Sequence, residues 1–83
     1  MFIIGQWVRV KPYNEITQTG KLSFVSNMKQ YCGKEYIIEG TNTFMGFMYF
    51  TLNIYDDGFY GYKFEPGWLT TSIFEKLKSH LMV

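Results

Sequence analysis

Few side chains in this sequence are equipped for covalent or acid–base chemistry. Cys32 is the only thiol and His80 the only imidazole. A thiol becomes a nucleophile when a cation, a base or a helix N-terminus lowers its pKa. Nothing in the sequence around Cys32 supplies that context, and His80 falls on the polar side of a terminal amphipathic segment. The pair therefore reads as a partly buried thiol and a solvated ring. Asp56-Asp57 offers adjacent carboxylates. However, Asp57-Gly58 is a hairpin signal in which Asp is selected for turn geometry. No set of His, Cys, Asp and Glu has metal-ligand spacing, and no phosphate loop or dinucleotide fingerprint is present. The expectation is a protein that is not an enzyme and uses no cofactor and no metal.

Rings and cations are the better functional material. Aromatic residues make up 20% of the 83 residues. Trp7, Tyr13, Tyr31, Tyr49, Tyr55, Tyr60, Tyr62 and Trp68 are too many for one small core. About half are expected to be structural, since Tyr and Trp pair an apolar body with a polar tip. Trp68 is assigned to the core, and Tyr13, Tyr31 and Tyr60 to the surface. Residues 1–34 carry Arg9, Lys11, Lys21, Lys29 and Lys34 against Glu15, a balance of +4. Residues 35–67 carry Lys63 against Glu35, Glu39, Asp56, Asp57 and Glu65, a balance of −4. A binding surface is expected from Tyr13, Tyr31, Tyr60, Tyr62, Arg9, Lys11 and Lys29. Rings beside cations can hold a base or a phosphate. The net charge of only +1 favours the plainer reading, in which the two halves fold onto each other, because nucleic-acid footprints make a domain strongly basic.

These residues must be positioned by a single small domain, residues 1–83. A chain of this length buries only about 60–65% of its unfolded surface, and 47% of its residues are hydrophobic. One cysteine excludes an internal disulfide, which favours a reducing compartment. The first residues lack the basic region and apolar length of a signal peptide, and Phe47-Met48-Tyr49-Phe50, the longest apolar run, is too short to span a bilayer. A cytoplasmic protein without a membrane role is expected.

Gln6–Lys11 alternates, with Val8 and Val10 on one face and Trp7, Arg9 and Lys11 on the other, as a half-buried strand does. Pro12 ends it. Residues 13–34 are irregular, with Leu22, Phe24 and Val25 expected in the core and a helical turn after Ser26-Asn27. Lys34–Glu39 is the second strand, rich in β-branched and aromatic residues. Gly40–Thr43 reads as a turn, and Phe44–Tyr55 as a long third strand with Phe50, Leu52 and Ile54 on one face. Asp57-Gly58 starts a hairpin to Phe59–Phe64, Pro66-Gly67 turns, and Trp68–Thr70 closes. A helix over about 72–82 follows, with Ser72 and Glu75 as a capping box. Its apolar stripe is Ile73, Phe74, Leu77 and Leu81.

Gly5-Gln6-Trp7-Val8-Arg9-Val10 resembles the opening strand of SH3-like barrels. Met28 and the run from Tyr31 to Ile38 resemble their next element, and Asp57-Gly58, Tyr62–Phe64 and Trp68-Leu69 their last hairpin and closing strand. The order is most similar to the mind-bomb/HERC2-type repeat and to small phage and low-GC bacterial proteins that carry one such unit. The resemblance spans residues 5 to about 70. It lacks the proline-binding aromatics of true SH3 domains and the glycine-rich insertions of the mind-bomb type. It implies an all-β fold, a small five-stranded SH3-like barrel with a C-terminal α-helix, and a protein-binding role. A composition rich in Phe, Tyr, Ile, Asn, Lys and Met fits a phage or mobile element of AT-rich genome. The expected function is occupation of a host or self protein surface, as an interaction module or host-factor inhibitor. Sequestration of a nucleotide or other small anion in an oligomer is the alternative, and KOW-like nucleic-acid binding the second. A homodimer or higher homo-oligomer would make up for the small core.

Overall fold

The structure is a computed structural model that describes residues 2–18, 22–55 and 62–81, with the backbone alone for residues 78–81. It is mostly β: a four-stranded antiparallel open sheet followed by a short helix. Strands β1 (Trp7–Val10), β2 (Glu35–Phe44), β3 (Phe47–Leu52) and β4 (Leu69–Thr71) lie in the order β3-β2-β1-β4, and helix α1 spans Ile73–Leu81. No helix among the described residues is long and apolar enough to cross a membrane.

The alternation read from the sequence orients β1. Val8 and Val10 are fully buried, while Trp7 is half-buried and Arg9 exposed. Phe50, Leu52 and Ile54 are likewise buried together, and Trp68 joins them. β1 pairs with β2 at Trp7↔Ile37 and Arg9↔Glu35, and with β4 at Arg9↔Thr70 and Val10↔Leu69. A segment of 3-10 geometry, Pro66–Trp68, leads into β4.

Four local expectations change. Residues 40–43 do not turn: β2 runs through them to Phe44, and the chain reverses at Met45-Gly46. Gly40 instead marks a register shift beside Ile38, where a Cβ would stand 2.8 Å from Thr51 Oγ1. The glycine allows close strand approach, and β-branched Thr41 and Thr43 favour the extended chain. Val25 is exposed, whereas Phe24 is buried and Leu22 packs at the core margin. Ser26 begins a 3-10 turn, Ser26–Tyr31, and Val25 occupies its cap position without a side-chain bond.

The fourth change is at α1. Ser72 Oγ accepts the Phe74 N–H at 3.0 Å and donates to Glu35 Oε1 at 2.8 Å. Glu75 does not reach back to its own cap. Its Oε2 accepts the Trp7 N–H at 2.9 Å, and the Ser72 N–H turns to the Trp7 carbonyl at 3.4 Å. The carboxylate is worth more as a partner for a strand-end amide than for a cap amide that β1 can satisfy. Of the expected strand over Phe59–Phe64, residues 62–64 lie among the described residues, and Phe64 alone of these forms a bridge. Phe64 exchanges two backbone hydrogen bonds of 2.9 Å with Phe50. The Asp57-Gly58 turn lies outside the described residues.

Ser72 is thus both helix cap and tie between α1 and β2. Replacing it by Ala is expected to lower stability by about 1–2 kcal/mol, since it removes a cap and leaves Glu35 one donor short. Urea unfolding followed by tryptophan fluorescence measures this, and an unchanged midpoint would refute the tie.

Candidate functional site

Among the described residues, the β2–β3 hairpin carries an unusual surface. Its two-residue turn has positive φ at both positions, 51° at Met45 and 84° at Gly46. Positive φ at both central residues matches the right-handed twist of paired strands, and Asn-Gly or Asp-Gly is the usual solution. Gly46 satisfies that rule; Met45 breaks it, because a Cβ crowds the backbone in the left-handed region. Met45 is also 80% exposed, with Phe44 at 46% and Met48 at 41%. No residue between Glu39 and Asp56 is charged. The hairpin therefore ends in an apolar tip without the lysines or prolines that usually blunt exposed β structure. Beside it lies an open groove of about 290 Å³, lined by Gly46, Phe47, Met48, Glu65 and Pro66.

The residues singled out from the sequence are divided among other places. Tyr31 is not at the surface: it is 2% exposed, with its ring 5.9 Å from Tyr36 and 5.5 Å from Tyr62. It ends the 3-10 turn Ser26–Tyr31, whose inward face also carries the buried Met28, so the turn drives the ring into the core. Tyr62 is half-buried against it, and Tyr60 lies outside the described residues. Tyr13 and Lys29 do come together at the surface, with Nζ 4.3 Å from the ring centroid. Arg9 stands apart from them in role. Its Nε donates to both Glu35 carboxylate oxygens at 3.1 Å, and Glu35 also accepts from Ser72. Lys11 is half-buried and ties β1 to Trp68 through its backbone N–H. The six of these residues that are described thus do not form one patch.

Phe44, Met45 and Met48 were not legible as a site, because a turn was expected at Gly40–Thr43. The uncharged stretch from residue 40 to 55 was the available signal. Among the described residues, two titrating groups are perturbed. Burial pushes the Cys32 thiol up, with Lys29 pulling the other way. The exposed Tyr55 hydroxyl donates to Glu39, which raises its pKa. Compared with known proteins, the chain matches no family model, no curated protein and no solved structure.

Two measurements probe these assignments. A raised pKa means less thiolate at any given pH, so Cys32 should alkylate with iodoacetamide at pH 8 more slowly than an unfolded-chain cysteine; equal or faster reaction would contradict its burial. Replacing Met45 by Asn should stabilise the fold by about 0.5–1 kcal/mol, because Asn tolerates positive φ. A fall in the thermal midpoint would show that the turn is not set this way.

Proposed function

We propose that the protein is a non-enzymatic binding protein that occupies the surface of another protein with the tip of its β2–β3 hairpin. The observation that carries this reading is Met45. A long apolar side chain, 80% exposed, stands at a positive-φ position where Asn or Gly would be more stable. Strain retained at an exposed apolar position points to function, since folding alone would remove it. The reading includes the finer architecture: a small SH3-like barrel, with the segment ending at Phe64 as its fifth strand. Support comes from the Phe50–Phe64 bridge, from β4 closing on β1, and from the register shift that bends β2 between Ile38 and Gly40. The reading also takes in a phage or mobile-element source, suggested by the composition, and with it a host protein as partner.

Magnitudes constrain how such a tip binds. Phe44, Met45 and Met48 expose on the order of 300 Å² of apolar surface, the size of a functional patch on a monomer. Burying it is worth about 7 kcal/mol at about 25 cal/mol per Å². Association costs about 4–15 kcal/mol in lost freedom and ordering. The tip therefore anchors a complex, and further contacts must complete it.

The test is capture of a partner from host lysate by the immobilised protein, with its variants alongside. Wild type should retain one protein in near-stoichiometric amount, and Phe44→Ser and Met45→Asn should lose it while remaining folded. An empty catch, or one that both variants retain, removes the reading.

A further inference from the structure

We infer that two copies of this chain pair across a two-fold axis through the outward face of α1 and the turn beside it. This surface uses none of the residues assigned to the hairpin tip, so it stands or falls apart from the reading above.

The helix is attached by its polar side. Ser72 donates to Glu35 at 2.8 Å, and Glu75 accepts the Trp7 N–H at 2.9 Å. At about 100° per residue, these two positions lie diametrically across the helix from the midline of Ile73, Phe74 and Leu77. A surface helix ordinarily does the reverse and turns its apolar stripe to the core. Here Phe74 touches Trp7 edge-on at 5.1 Å but stays exposed, as do Ile73 and Leu77.

The same end of the sheet carries two more apolar residues. β4 runs antiparallel to β1 and finishes opposite Val8, and the Ser72 N–H donates to the Trp7 carbonyl. α1 therefore starts where β1 starts. The turn Ile3–Gln6 ends immediately before Trp7, with the Gln6 N–H on the Ile3 carbonyl at 3.1 Å. Ile3, Ile4, Ile73, Phe74 and Leu77 are each between 42% and 67% exposed.

Area selects the occupant. A side chain of this size offers on the order of 200 Å² when fully exposed, so these residues together leave about 500 Å² of apolar surface open. A stable pair of proteins takes about 800 Å² from each partner, about 60% of it apolar, which is again about 500 Å². The α1 end meets that need alone, whereas the hairpin tip, at about 300 Å², falls short of it. The stripe is also its own complement. Antiparallel two-fold packing lays one uncharged stripe on the other, in a contact that closes at two copies. Lys76 is exposed and lies about 100° from the midline. A two-fold axis places both copies of Lys76 on one flank, and salt screens their repulsion. Association therefore tightens with salt, where attachment to an anionic lipid or a nucleic acid would loosen.

The test is sedimentation velocity of the full chain from about 5 to 500 µM. The weight-average mass should rise from one copy toward two. Ile73→Gln and Leu77→Gln, both at exposed helix positions, should each weaken pairing about tenfold. Ile4→Ser should weaken it as well, and Met45→Asn should leave it unchanged. If Leu77→Gln fails to fold, amide shifts of the 15N-labelled wild type over the same dilution decide. Shifts confined to α1 and Ile3–Gln6 support the pairing, and shifts centred on the hairpin tip overturn it. A chain that stays monomeric at about 500 µM, pairs equally well as Leu77→Gln, or dissociates as salt rises from about 0.05 to 0.5 M also overturns it. A monomeric chain that still captures a host partner through Met45 would remove the pairing and leave the protein-binding reading in place.

Discussion

The order of this small domain depends on Trp68. Its indole is buried between Phe24 and Phe64, with ring centroids at 5.1 and 6.4 Å. Its Nε1–H donates to the Thr17 carbonyl at 2.9 Å, and its own carbonyl accepts the Lys11 N–H at 2.9 Å. One residue therefore fixes the start of β4, the exit of β1 and two points of the irregular segment between β1 and β2. That segment has little regular hydrogen bonding of its own. Gln18 compensates by donating to the Phe24 carbonyl and accepting its N–H, and Glu65 accepts the Leu22 N–H. Both contacts lie beside Trp68 in the chain path, so the loop folds against the indole and is held by side chains where a strand partner is missing.

The helix is joined by a second polar arrangement, built on β1. Glu75 takes the Trp7 N–H, Ser72 donates to Glu35, and Glu35 receives Arg9. A nine-residue helix is too short to be stable by itself. Only part of its apolar stripe is covered: Phe74 packs edge-on against Trp7 at 5.1 Å, while Ile73 and Leu77 stay about half exposed. Directed hydrogen bonds thus position α1 where apolar burial is incomplete. The Arg9–Glu35 pair adds little stability of its own at the surface; its value is in keeping the carboxylate oriented toward Ser72.

The regular parts of the fold were readable because they obey local rules. Val8 and Val10 alternate as a half-buried strand must, Phe50, Leu52 and Ile54 do the same, and Ser72 opens a helix. What was misread lay where tertiary contacts override local preference. Gly40 resembles turn punctuation, yet it is glycine because Thr51 lies against it. Tyr31 resembles a surface ring, yet the 3-10 turn carries it into the core. Met45 resembles no turn residue at all, so the true reversal was hidden. The last case differs from the others in kind. Gly40 and Tyr31 are explained once their neighbours are known, whereas nothing in the packing of the hairpin calls for methionine at Met45.

That contrast bears on where the proposed binding would take place. The rings and cations that stood out in the sequence are largely committed inside the molecule. Tyr31 packs in the core, Arg9 serves Glu35, Lys11 is half-buried, and Lys29 lies over the Tyr13 ring. A cation already engaged must give up that contact to meet a phosphate, so each contributes less to an anion site than its charge suggests. At the hairpin tip Phe44, Met45 and Met48 are exposed and carry no charge, and Met45 sits on a backbone that another residue would suit better. In a domain with so little core, exposing three large apolar groups lowers solubility and adds nothing to packing. Their exposure is the feature on which the proposed protein-binding reading rests.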